Sequence, residues 1–511
     1  MQLFVNNIET TLSASLTSTA TTMYVSTATG MPEPTGDDYF LLTLCKRDSS
    51  GVESSIEIVK CTARSSNNLT IVRAQESTSG IAYDAGDIVS LRLTAGSLND
   101  NIMQADGLPL AIGRINNPLL HLPLKNSTDM ICGTGTVIFT RTQADPQSVS
   151  YIDRYGVVQY VDQNEARFEE EGLLIEGEST NLLTYSEDFD NSAWAKNASS
   201  IGGSTTGPDG NTITANGLIA STDDVSSHYI RQIGVAATPT KDYSLSVFAK
   251  KGDKNWLLLK LRFYDSTPTL LTENTAYFDL DNCAVGTVSS GATSSIKELS
   301  NGWVRCTITA TADATAATSW NIICVAEGNN DSTFAGDGST INIYTWGAQL
   351  EEMPFASSYI PTTTAAVTRA GDSLYVTYNE NIPAPNTEEM SVLCDIDILG
   401  LDTIHGKPWR VEGETLRQLQ VRTDTFVPKF FYGSNSADSN AMVAGSSERV
   451  GCVYDKTSGY IYLDGELLDS LVVTTIAGSA TSISIAAYWY GHISNFRIYD
   501  VALSSQEMRI A

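Results

Sequence analysis

The sequence predicts an all-β protein made of a small N-terminal β-domain, a connector and two β-sandwiches of jelly-roll type. Three observations predict it. Short runs alternating apolar and polar residues recur along the chain, as strands with one buried face require. Helical periodicity is nearly absent. Of 511 residues 42 % are hydrophobic and only 18 % charged, so the balance is rich in Ser, Thr, Asn and Gly, the residues of strand edges and turns.

The first segment, residues 1–100, is rich in strand signals and ends in Ile88-Val89-Ser90-Leu91. Residues 101–180 carry Pro109, Pro118 and Pro123 and the acidic run Glu169-Glu170-Glu171, and predict a connector with hairpins. Residues 181–370 predict one sandwich. It holds five of the seven tryptophans and the alternating runs Ser244–Ala249, Val304–Thr309 and Ile341–Trp346. After the Thr-rich joint Pro361–Thr364, residues 371–511 predict the second sandwich. Asp464-Gly465 is suited to a tight hairpin turn because both positions tolerate positive φ. Two short helices are expected, one after Ser97 through Leu98 and Ile102, the other in the last ten residues, where Ser504 and Glu507 have capping-box spacing.

The formal net charge is −28. That field opposes phosphate backbones and anionic bilayers, so nucleic acid and membrane surfaces are excluded as expected partners. No apolar stretch approaches the roughly 20 residues of a bilayer helix. The N-terminus lacks the basic and apolar regions of a secretory signal. The eight cysteines form no CxxC pair and mostly sit in strand-like runs, as small buried hydrophobes would. No GxSxG, HExxH, P-loop or dinucleotide motif is present, and His121, His228, His405 and His492 lie in separate contexts. The sequence therefore predicts a binding protein and no enzyme, with no cofactor required. A carboxylate pair for glycoside hydrolysis stays open, because only spatial separation decides it.

Three stretches carry family resemblance. Thr21–Val25, Ile56–Lys60, Leu69–Thr78, Ala85-Gly86-Asp87 and Leu93–Gly96 resemble the N-terminal β-domain of bacteriophage tail-fibre proteins, which implies attachment to a tail or baseplate. The family's usual Gly after the Arg-x-Gln-Glu run is Ser77 here. Phe139-Thr140-Arg141, Tyr151–Gln159 and Gly172–Gly177 are similar to a connector of phage adhesins. Following it, Asn181-Leu182-Leu183, Phe189-Asp190, Trp194, Tyr243–Lys250, Gly302–Arg305 and Trp346–Glu351 resemble jelly-roll carbohydrate-binding modules, where Phe189-Asp190 departs from the usual Phe-Glu. Last, Tyr460–Leu467 and Gly491–Asp500 look like the final hairpin of laminin-G or concanavalin-like lectins.

The resemblances imply a virion-borne tail-fibre subunit, assembled in the host cytoplasm as a homotrimer, that adheres to host surface carbohydrate such as lipopolysaccharide or capsule. A depolymerase tailspike and a purely structural tail or baseplate subunit are the competing expectations. Sugar binding needs flat aromatic faces flanked by fixed polar groups. The candidates are Trp256, Tyr264, Trp409, Tyr488 and Tyr490, with Trp194, Tyr229 and Trp320 also considered. Trp303 and Trp346 are assigned to core. Trp489 shares parity with Ile483 and Ile485, so it should point inward and leave Tyr488 and Tyr490 outward. The jelly-roll resemblance also implies a structural Ca²⁺, for which Asp188, Asp190 and Glu351 are the candidate ligands.

Overall fold

The computed structural model describes residues 8–36, 38–48, 51–92, 118–142, 149–210, 213–222, 227–377, 381–400, 406–422, 426–442 and 447–510, together with residues 3, 5 and 94. The expected helix after Ser97 and His405 lie outside the described residues. The chain divides into two compact units, Met1–Arg114 and Ile115–Ala511. Both are built of antiparallel strands.

In the first unit six strands form one sheet in the order Ile8–Thr11, Ile88–Leu91, Phe40–Arg47, Glu53–Ser65, Asn68–Gln75, Thr22–Tyr24. Its core includes Met23, Phe40, Leu42, Val59, Leu69 and Val89. Buried Glu57 accepts bonds from Arg73 and from the backbone amides of Ala74 and Ile81, which pins the turn that follows. Ser77, standing where the resembled family has Gly, takes φ 62°. The position still demands a left-handed backbone, and Ser accepts it at a steric cost that Gly avoids.

The second unit contains two sandwiches. Two six-stranded sheets form the central one. The first runs Ala195–Asn197, Tyr229–Ala236, Thr318–Ala326, Trp256–Tyr264, Leu270–Asp279, Ala284–Val288. The second runs Ser199–Thr206, Ile213–Ala220, Ile341–Glu351, Asp242–Lys251, Trp303–Thr311, Ala292–Glu298. Leu245, Val247, Leu257, Leu259, Phe263, Ile323 and Leu350 fill the space between them.

The other sandwich is discontinuous in sequence. Leu173–Glu176 and Leu120–Leu122 both pair with Tyr490–Tyr499, and Val137–Thr140 pairs with Ser373–Thr377. The segment read as a connector with hairpins thus supplies strands to the two C-terminal sheets. The central sandwich is inserted between them through a neck of two paired strands, Ser179–Asn181 and Val367–Arg369. Leu122, Leu173, Ile175, Val392, Trp409, Phe430 and Ile483 share one core across this break. The Asp464-Gly465 turn forms as expected, with φ 50° and 75° and Leu463 opposite Glu466. At the end of the chain Ser504 and Glu507 cap the helix Ser505–Ile510 reciprocally.

Candidate functional site

The outward face of the first central sheet is assembled from alternate residues, whose partners on the other face fill the core. The registers arrange them in rows across neighbouring strands. Thr318 lies beside Tyr264, and Ile233, Trp320, Arg262 and Glu273 form the next row. Arg231, Ile322, Lys260 and Thr275 follow, then Tyr229, Cys324, Leu258 and Tyr277. Ala326, Trp256 and Asp279 close the face. From Tyr264 to Trp256 it extends about 26 Å, at roughly 3.3 Å per strand residue.

Aromatic rings and cations alternate along it. Tyr264 stacks on Trp320 with centroids 4.5 Å apart and planes 29° from parallel. The Arg231 guanidinium sits 4.3 Å over the Trp320 ring and 5.5 Å from that of Tyr229. Trp256 and Tyr229 pack at the edge of a small cluster with Leu258, Tyr277 and Cys324. Arg262 is paired with Glu273. Among the described residues Arg231 and Lys260, both opposite Ile322, form no ion pair with a carboxylate. Tyr264, expected to face a ligand, is buried at 7 % exposure behind Trp320, so the face offers the half-buried rings of Trp320, Tyr229 and Trp256 beside hydrogen-bond donors, the two components that hold a pyranose.

The basic run before Trp256 is less available. Lys251 is paired with Asp281, and Lys254 reaches Glu327 at 2.8 Å.

The remaining candidates separate. Trp409 is 1 % exposed in the C-terminal core against Phe430, so it has no face to offer a ligand. Its strand, Gly406–Glu414, points it inward beside Val411. Tyr488 and Tyr490 do line one cleft of about 780 Å³ with Lys407, Arg410 and Glu412. Tyr488 is exposed, takes φ 54° and carries Lys407 at 4.8 Å over its ring. Tyr490, expected outward, is covered: it packs on Phe355 and donates to the carbonyl of Glu178 at 2.8 Å. Trp489 points inward as expected. Trp194 is buried on Phe189. Trp303 and Trp346 are buried too, but in a second layer outside the sandwich core, with Phe248, Val158 and Tyr359.

The proposed calcium ligands are not brought together. Glu351 is fully buried and accepts bonds from Ser179, Ser357 and Gln349. Asp188 and Asp190 are exposed on the loop before Trp194, with Lys196 3.7 Å from Asp190. Among the described residues one trio places metal-type ligands within 4.8 Å of one another: Glu169, Glu171 and His492. Lys297 lies 3.2 Å from Glu169, and His492 bridges Asp397 at 2.9 Å and Glu169 at 3.3 Å. Burial alone would pull the His492 pKa down, but these carboxylates outweigh it and hold it at about 9. Burial would likewise raise Glu169, yet His492 and Lys297 bring it down to about 2. With Lys297 on Glu169 and both His492 ring nitrogens on carboxylates, the cluster is held together as an ion network.

A second ion network lies in the neck. Arg141 meets Asp372 at 3.0 Å, Arg167 meets Asp372 and Glu176, and Arg369 stands 3.3 Å from Glu176, every side chain fully buried. None of this was anticipated, because charged residues default to the surface in a sequence reading.

No family model matches the chain, and no curated protein matches it. Among solved structures it is similar to the binding domain of Paraclostridial Mosquitocidal Protein 1, at 11 % identity and TM-score 0.23, over 27 % of this chain and 42 % of that one. It is similar to the enzymatically active domain of bacteriophage CBA120 tailspike protein 4, at 12 % identity and TM-score 0.23, over 33 % of this chain and 21 % of that one. It spans less than half of either structure. The tandem CBM22 domains of Paenibacillus barcinonensis Xyn10C match at 8 % identity and TM-score 0.22, over 64 % of this chain and 99 % of theirs. These likenesses are among all-β domains, and at such scores the functional reading stands on the residues alone.

Proposed function

We propose that this chain is a carbohydrate-binding adhesin, a receptor-binding fibre subunit of a phage tail that holds host surface polysaccharide without covalent change. The observation that carries the binding half is the sheet face where half-buried Trp320, backed by buried Tyr264, stacks under Arg231 beside Lys260, Tyr229 and Trp256. Rings of this kind stack on the C–H faces of sugars, and the cations bond hydroxyls or the acidic groups common in capsules. The tail assignment is supported by the N-terminal resemblance from Thr21 to Gly96. Homotrimerisation would multiply a weak single-site affinity through linked sites.

The test is to incubate the purified full chain with immobilised lipopolysaccharide and capsule from candidate hosts and measure both retention and released oligosaccharide. Retention without release, reduced about tenfold by Trp320→Ala, supports the adhesin. Release of oligosaccharide makes it a depolymerase. Absence of retention on every host to which the parent virion adsorbs makes it a structural subunit.

A further inference from the structure

The opposite sheet of the central sandwich lines a cavity of about 440 Å³ whose wall includes Arg305, Lys297, Thr293, Ser295, Thr307 and Thr309 and, from other elements, the carboxylates Glu169 and Glu176. The register explains why they converge. Thr293 faces Thr309, Ser295 faces Thr307 and Lys297 faces Arg305 across the pair of strands Ala292–Glu298 and Trp303–Thr311. Two cations therefore stand directly opposite one another on one sheet face, an arrangement that destabilises a strand pair unless an anion intervenes.

One of the two has its anion: Lys297 is paired with Glu169. Arg305 does not. It is 9 % exposed, and among the described residues it forms no ion pair, although Glu351, Glu176 and Glu169 lie near enough to favour its charge. Its single side-chain hydrogen bond goes to the Ser246 hydroxyl at 3.0 Å, its Nε is buried without a partner, and Phe248 lies 5.3 Å from the guanidinium. The other carboxylates nearby are taken: Glu176 by Arg167, Arg369 and Ser358, and Glu351 by Ser179, Ser357 and Gln349. Burying an arginine whose Nε has no partner and whose guanidinium meets one neutral hydroxyl is costly, and the cost is recovered when an acceptor of fork geometry arrives. Burial also pulls the Arg305 pKa down, though an arginine stays charged at any ordinary pH.

We infer that this cavity is a second saccharide subsite, for a sugar bearing a carboxylate: Arg305 takes the carboxylate and the hydroxyls of Thr293, Ser295, Thr307 and Thr309 take the ring hydroxyls. Its size suits one or two sugar rings. Thr293 and Ser295 are exposed on the edge strand, so the cavity opens to solvent there, while Arg305 and Thr307 form its floor. The inference rests on the carbohydrate-binding reading but uses a different sheet and different residues.

The test is calorimetric titration of the full chain with sodium glucuronate and sodium galacturonate, against glucose, galactose, acetate and sulfate. Uronates should bind, and neutral sugars, acetate and sulfate should bind at least tenfold more weakly. Arg305→Gln should abolish uronate binding. Ser295→Tyr, which closes the mouth from an exposed position, should abolish it too in a protein whose thermal unfolding is unchanged. Trp320→Ala should leave it intact. Equal binding of acetate or sulfate, or uronate binding that survives both Arg305→Gln and Ser295→Tyr, overturns the subsite. Loss of uronate binding in Trp320→Ala alone moves the uronate to the outer aromatic face and also overturns it. Polysaccharide retention that fails while uronate still binds would sink the adhesin reading and leave this subsite standing.

Discussion

The two outward faces of the central sandwich are built from strands of the same kind and have opposite fates. On one, Tyr229, Arg231, Lys260 and Trp320 stay half-buried at the surface. On the other, Phe248, Trp303, Trp346 and Tyr359 are sealed in a second apolar layer, and of the two cations beside it Lys297 is paired with Glu169 while Arg305 is left without an ion pair at the floor of the cavity. A strand with one open face alternates in burial, as Trp256–Tyr264 does at Lys260 and Arg262. A strand covered on both faces loses the alternation: Asp242–Lys251 is buried at seven consecutive residues, Tyr243 to Ala249. The same pattern of residues can therefore be a ligand surface or an internal seam, and what decides is whether another part of the chain returns to cover it.

The largest expected effect lies on the covered side. Glu176→Gln removes the charge that holds Arg167 and Arg369 in the neck. Leaving buried cations uncompensated should cost about 3–5 kcal/mol, read as a lower urea midpoint for the second unit. The first unit, with its own core, should unfold at its usual midpoint.

The pH dependence follows from the network of Glu169 and His492. His492, held at about 9, contributes stability that is fully present below its ordinary value of 6.5 and is lost as pH rises through 9. Glu169, held at about 2, contributes stability that is fully present above 4.5 and is lost as pH falls through 2. Both contributions are complete between pH 4.5 and 6.5. The melting temperature of the second unit should be flat across that window and fall from pH 7 to 9, and His492→Gln should remove the alkaline fall. A melting temperature that climbs steadily from pH 6 to 9 would contradict the network.

On the open face the effect should appear in binding instead of folding. Arg231→Ala removes the cation above Trp320, worth about 0.5–1 kcal/mol at an exposed site. Retention on polysaccharide should drop several-fold with unfolding within about 0.5 kcal/mol of the parent. The smallest effect is expected at Tyr488→Ala in the C-terminal cleft. That exposed ring should change neither unfolding nor retention measurably, and a large loss of retention there would move the receptor site to the C-terminal sandwich.

Much of this was legible. Alternation located the strands, Asp464-Gly465 located a hairpin and Ser504 with Glu507 located a helix start, because each depends on residues a few positions apart. Trp256, Tyr264 and Trp320 were all aromatic candidates in the sequence, though only cross-strand register set Arg231 beside Trp320 and Tyr264 behind it. What the sequence hid was long-range. Leu173 pairs with Ile493 across more than three hundred residues, and no local pattern announces such a pairing. For the same reason no local pattern marks Arg167, Glu176 and Asp372 as partners, and Glu351 read as a metal ligand until the fold set Ser179, Ser357 and Gln349 on it. Trp409 was misread for a related cause: in Gly406–Glu414 the residues around it show no clear apolar alternation, so its parity is not visible until the sheet is known.

The central claim is that the Tyr264–Trp320–Arg231 face is the receptor surface. It is tested most directly by measuring retention of the full chain and of Trp320→Ala on the host polysaccharide under identical conditions, with urea unfolding of both. Trp320→Ala is expected to lose about tenfold in retention with unfolding changed by no more than about 1 kcal/mol. Undiminished retention in a folded Trp320→Ala protein would contradict it.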